Sequence, residues 1–112
     1  MARYQGNRPL RCSQNVMHQS TAEARRCNEL HLMQQGGLIQ ELEAHPQPRF
    51  DLEVNGVKVC KYLADFQYVD AETGQTIVED VKGWRTEVYK LKRKLMLACH
   101  GIEVEEVRAR FR

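Results

Sequence analysis

A chain of 112 residues has room for one domain. With 42% hydrophobic and 29% charged residues it has the usage of an ordinary globular domain, which excludes a coiled coil, a collagen-like repeat and a wholly disordered chain. Seventeen Lys and Arg against fifteen Asp and Glu leave a net charge of +2, so there is no global polyanion-binding footprint, and aromatics at 7% predict an aliphatic core.

Residues 1–19 are rich in Arg, Gln and Asn, lack apolar periodicity and read as a flexible basic arm. Ser20 to Glu23 fits a capping box, in which the Ser hydroxyl and the Glu carboxylate satisfy each other's orphan amides. Ala24, Cys27 and Leu30 follow at the helical period until Gly36-Gly37 stops it. Leu38, Ile39 and Leu42 anchor the helix exit, and Pro46 and Pro48 mark a loop. Arg49 to Val54 alternates as a strand and meets Asn55-Gly56, which suits a two-residue type I′ hairpin because both central residues need positive φ. A second strand, roughly Val57 to Val69, ends in the turn Asp70 to Gly74, and a third, Thr76 to Lys82, closes a meander. Thr86 caps a second helix that carries Val88, Leu91, Leu95 and Ala98 on one apolar stripe. His100-Gly101 ends that helix, and Ile102 to Val107 forms a last short strand. The order is α-β-β-β-α-β, an α+β domain over residues 20–107 followed by a basic tail, 108–112.

The charges are unevenly placed. Tyr62 to Val81 carries five acids and no base, and Lys82 to Lys94 then carries six bases against Glu87 alone. An acidic knot beside a basic segment suits a site that holds a cation and touches a polyanion, although solvated faces produce the same pattern. The four cysteines form no CxxC pair and the four histidines complete no zinc spacing, so no structural zinc is expected. With no apolar leader and no run long enough to span a bilayer, the chain reads as soluble and from a reducing compartment.

The second hairpin is the most informative feature. If Ala71 to Gly74 form its loop and Asp70 faces Gln75, Asp65 falls opposite Asp80; a slip of one residue sets it opposite Glu79 instead. Either way two carboxylates stand about 4.5–5.5 Å apart at Cβ, an arrangement that needs a proton or a cation. Two hard oxygen ligands on stiff strands suit Mg²⁺ or Mn²⁺. The period of two puts Asp80 and Lys82 on the face of Val78, and Glu79 with Ile77 and Val81 on the other. Lys82 can then position or deprotonate a water, or stabilise charge on a phosphoryl oxygen. Glu79 is the second choice of ligand, should a bulge turn the strand. Glu23 is either a helix cap or a third carboxylate, if its helix abuts the meander. Arg85, Lys90, Arg93 and Lys94 form a phosphate-contacting surface or a solvated face. Trp84 and Tyr89 stack on bases or pack internally.

Asp65, Asp80-Val-Lys82 and the element order together resemble the PD-(D/E)XK nuclease superfamily. The strings Ala64-Asp65-Phe66, Val78-Glu-Asp-Val-Lys-Gly83 and Val88-Tyr-Lys-Leu-Lys-Arg-Lys-Leu95 resemble a small phage and prophage family whose functional relatives are resolvase-like endonucleases acting on branched DNA. Ala64 stands where the superfamily's name has proline. The resemblance implies a restriction-endonuclease-like core with a central mixed sheet flanked by helices. It implies that Asp65, Asp80 and Glu23 bind Mg²⁺ and that Lys82 helps to activate water. It also implies DNA as partner, a homodimer, and residence in the cytoplasm of a bacterial host. The rival expectation is a non-catalytic nucleic-acid-binding or assembly module on the same scaffold.

Overall fold

A computed structural model describes residues 10–108. Eight elements follow in order: α1 (Thr21–Gln35), β1 (Ile39–Glu43), β2 (Arg49–Val54), β3 (Val57–Leu63), β4 (Phe66–Asp70), β5 (Thr76–Lys82), α2 (Glu87–His100) and β6 (Glu105–Arg108). The class is α+β. Four strands make a mixed sheet in the order β1-β4-β5-β6, antiparallel except for the β5–β6 pair, and β2 with β3 forms a separate hairpin.

Local chemistry sets most of these bounds. Ser20 Oγ accepts the Glu23 amide at 3.0 Å to start α1, and Thr86 Oγ1 accepts the Tyr89 amide at 3.1 Å to start α2. Asn55 and Gly56 have φ of 51° and 78°, the two left-handed residues of the expected hairpin turn. Asp70 pairs with Gln75 around a four-residue loop, which sets Phe66 opposite Glu79 and Val69 opposite Thr76.

Several expectations are corrected. The second strand is two, because the chain leaves the hairpin at Leu63 and joins the sheet only at Phe66. The segment Leu38 to Leu42 contributes β1, an edge strand paired with β4, so the order contains two strands more than expected. Residues 1–9 and 109–112 of the expected basic arm and tail lie outside the described residues. The rest of that arm is folded: Arg11 bridges Met17, His18 N–H donates to the Leu10 carbonyl at 2.8 Å, and Cys12 and His18 are buried. Arg108 belongs to β6.

The core has two parts. Cys27, Leu30, Ile39, Phe66 and Tyr68 pack in one, and Leu52, Tyr62, Val78, Tyr89, Met96 and Val104 in the other. Non-aromatic side chains predominate, as expected, but Phe66 and three tyrosines are buried among them. The side of α2 that faces the core is Tyr89 and Met96, with Leu95 and Cys99 half-buried, whereas Val88 and Leu91 are 63% and 57% exposed. Tyr89 wins the inward position because its ring meets Tyr62 at 6.5 Å while its hydroxyl donates to Glu106 at 2.8 Å.

Candidate active site

The site forms where the hairpin hands the chain to the sheet. Asp65 lies in that two-residue break, and its N–H donates to the Glu79 carbonyl at 3.1 Å, continuing the β4–β5 register. Asp65 and Asp80 are therefore neighbours across the strands, as the four-residue loop predicts. Both oxygens of Asp65 have donors: the Val81 amide at 2.8 Å and Gln47 Nε2 at 3.1 Å. Asp80 is 1% exposed, and its Oδ2 is buried with no hydrogen-bond partner.

Electrostatics ties four residues together. Burial pushes the Asp65 carboxyl up to about 6, opposed by the Val81 amide; the charge of Glu23 adds to the rise and that of Lys82 resists it. Asp80 is likewise pushed up to about 6 by burial, with Lys82 pulling the other way and Glu23 and Glu106 adding to the rise. Glu23, Asp65, Asp80 and Lys82 thus share one field. No ion pair within 4 Å joins Asp80 to Lys82 among the described residues. Lys82 Nζ instead sits 4.2 Å from the centroid of the Tyr89 ring, which steers the ammonium without neutralising it.

Glu23 is held differently from the expected box. Its backbone completes the Ser20 cap, but its carboxylate turns to His18, whose Nδ1 lies 2.6 Å from Oε2 in a buried contact. Glu23 and Gln47 line an open concavity with His18 and His45. As a donor set the three acids are looser than expected, since Glu23, Asp65 and Asp80 do not gather their oxygens within 4.8 Å of one another. The set of donors that does so, among the described residues, is Cys12, His18, Cys27 and His45, a grouping that no local spacing in the sequence marks.

Glu79, the second choice of ligand, is removed from the site by the pleat. Arg26 grips it with Nε at 2.9 Å and Nη2 at 2.7 Å, and Tyr68 donates its hydroxyl to the same carboxylate. That satisfied acid faces α1. Glu106 and Gln47 are neighbours of the site that the sequence did not single out, because neither belongs to a motif.

The expected DNA-contacting residues do share a surface. Arg85, Lys90, Arg93 and Lys94 line one concavity with Leu91 and Glu106, and Glu106 is the register partner of Asp80. The charges are partly committed. Arg93 binds the Val104 carbonyl through Nε and Nη2 at 3.3 and 3.0 Å, Arg85 meets Glu106 at 3.4 Å, and Lys90 meets Glu87 at 3.0 Å. Lys94 is exposed and has no ion pair among the described residues. Tyr89 packs internally, while Trp84 is 82% exposed at the start of this basic run.

No helix among the described residues is long and apolar enough to cross a membrane. The model of a family described as "Protein of unknown function (DUF1064)" matches residues 3–109. No curated protein and no solved structure matches the chain.

Proposed function

We propose that this chain, which belongs to the DUF1064 family, is a divalent-metal-dependent DNA endonuclease that hydrolyses backbone phosphodiesters in branched or otherwise structured DNA. One observation carries the reading: Asp80 is buried beside Asp65, and its Oδ2 has no partner. A buried carboxylate without a partner is costly unless a proton or a cation meets it. The oxygen-only donors Asp65 and Asp80, with Glu23 nearby, fit Mg²⁺ or Mn²⁺ rather than a softer ion. Bound there, such an ion would polarise a phosphate and acidify the attacking water.

The remaining roles fall to the chain itself. The Val81 amide and Gln47 fix the plane of the Asp65 carboxylate. Lys82 brings an unneutralised ammonium to the same field, suited to orienting a water or to stabilising charge that develops on a phosphoryl oxygen. Lys94, Lys90 and Arg85 offer cations to flanking phosphates, and exposed Trp84 offers a face to an unpaired base. A restriction-endonuclease-like core, resolvase-like relatives among phages and prophages, a homodimer that spans a duplex, and action in a bacterial cytoplasm complete the proposal.

The test is a panel of flap, junction, nicked and linear DNAs with Mg²⁺, Mn²⁺ or EDTA. Metal-dependent cleavage that disappears in Asp80→Ala and Lys82→Ala, with circular dichroism unchanged, supports it. Full activity in both folded variants refutes it. A second reading, a non-catalytic nucleic-acid-binding or assembly module, draws on the looseness of the three acids and on the engagement of Glu23 by His18. It is distinguished by salt-dependent DNA binding without turnover in any metal.

A further inference from the structure

Two thiols and two imidazoles meet beneath the N-terminal turn, next to Glu23 and in no contiguous sequence motif. Cys12 and His18 come from the segment before α1, Cys27 from α1, and His45 from the loop between β1 and β2. Their donor atoms all lie within 4.8 Å of one another. His45 Nε2 is 3.6 Å from Cys12 Sγ and 3.4 Å from Cys27 Sγ. A tetrahedral zinc with Zn–S of about 2.3 Å and Zn–N of about 2.0–2.1 Å has sulfur–nitrogen edges of about 3.5 Å. The two sulfur–nitrogen distances in the fold match that figure. His18 supplies a second, independent mark: Nδ1 contacts Glu23 at 2.6 Å, and Nε2 is buried without a partner. A ring whose Nδ1–H donates to a carboxylate leaves its Nε2 lone pair for a metal, the usual arrangement behind zinc-bound histidine.

We infer that Cys12, His18, Cys27 and His45 are the four ligands of a structural Zn²⁺ ion, whose bond to His18 also holds Glu23 in place. Two thiolates and two neutral imidazoles balance the dication, and both thiol protons leave to solvent on binding. Soft sulfur with nitrogen selects zinc over the oxygen-seeking Mg²⁺. Four protein ligands leave no open position, so the ion is a staple rather than a reaction centre. It joins the Leu10–His18 turn, α1 and the β1–β2 loop, three segments that are otherwise linked here by few hydrogen bonds. His31 backs the cluster, its ring stacked on His45 at 6.2 Å and its Nδ1 bonded to the Cys27 carbonyl at 2.8 Å. The inference stands whether or not the neighbouring carboxylates cleave DNA.

The test starts from the full chain purified without chelator. One zinc per chain by elemental analysis is expected, and Co²⁺ exchange should give thiolate charge-transfer and tetrahedral ligand-field bands. Cys12→Ser and His45→Gln should lose the metal, the double variant C60S/C99S should keep it, and Glu23→Gln should weaken zinc affinity about 10- to 100-fold. Thiol counting guards against variants that fail to fold: in wild-type protein Cys60 and Cys99 should react at once, and Cys12 and Cys27 only after a chelator removes zinc. Failure to bind zinc on reconstitution, four thiols equally reactive with and without chelator, or a Cys12–Cys27 disulfide in its place would each overturn the assignment.

Discussion

Asp80→Asn separates the cost of the site from its use. The carboxyl of Asp80 titrates at about 6 in the fold against 3.8 for the free side chain. At pH 8 the fold therefore bears a charge it would prefer to lose, worth about 3 kcal/mol at 1.36 kcal/mol per unit. The sign follows from proton counts: between the two values the folded state binds more protons than the unfolded one. The stability that the neutral acid permits is present below about 4 and lost as pH rises through 6. Asparagine keeps the shape and discards the charge. In Mg²⁺-free buffer at pH 8 the variant should gain about 3 kcal/mol, or roughly 10 °C or more in Tm for a domain of this size. At pH 4 it should differ little from wild type. Mg²⁺ at pH 8 should raise the Tm of wild type but not of the variant. Thermal melts at the two pH values, with and without metal, read all of this directly. A variant less stable than wild type at pH 8, or equally stabilised at pH 4, would show that burial of this charge is not what strains the site.

Three further outcomes follow from named contacts. Arg26→Met leaves Glu79 buried and without its guanidinium, and should cost about 3–5 kcal/mol in urea unfolding; a loss below 1 kcal/mol would mean that Tyr68 alone satisfies the acid. Gly56→Ala forces a side chain onto φ of 78° with nothing within 4 Å of the added carbon, so any destabilisation, expected near 1 kcal/mol, is conformational and should not alter DNA binding. Lys94→Ala should reduce the slope of log affinity against log salt by about 1, measured by fluorescence anisotropy on a branched DNA, whereas an unchanged slope places the phosphates elsewhere.

What could be read from the sequence was whatever local chemistry decides. Ser20, Thr86, Gly101 and Asn55-Gly56 fixed their elements because caps and tight turns are settled within a few residues. The Asp70–Gly74 turn fixed the register that sets Asp65 beside Asp80. β1 was hidden by a bulge: Glu41 has φ of 56°, the pairing slips between Gln40 and Glu43, and the inward residues Ile39 and Leu42 stand three apart instead of two. The apolar stripe of α2 misled because tertiary packing chose Tyr89, whose hydroxyl found Glu106, over Val88 and Leu91. The Cys and His cluster had no spacing to find, since its four residues come from three separate segments and meet only when the chain folds.

Adjacent acids on β5 show how the pleat divides structure from reactivity. Glu79 turns toward α1, where Arg26 and Tyr68 satisfy it completely, and it behaves as a buried fastening between helix and sheet. Asp80, one residue on, turns to the opposite face and meets Glu106 across the parallel pair and Asp65 across the antiparallel one. Nothing cationic closes on it, because Tyr89 draws the ammonium of Lys82 over its ring and Arg93 is held on the Val104 carbonyl. A fold selected only for stability would exchange Asp80 for an apolar residue at this position, as its buried neighbour Val78 illustrates. An uncompensated carboxylate between two others is destabilising, and on the proposed reading a ligand that carries positive charge would relieve it.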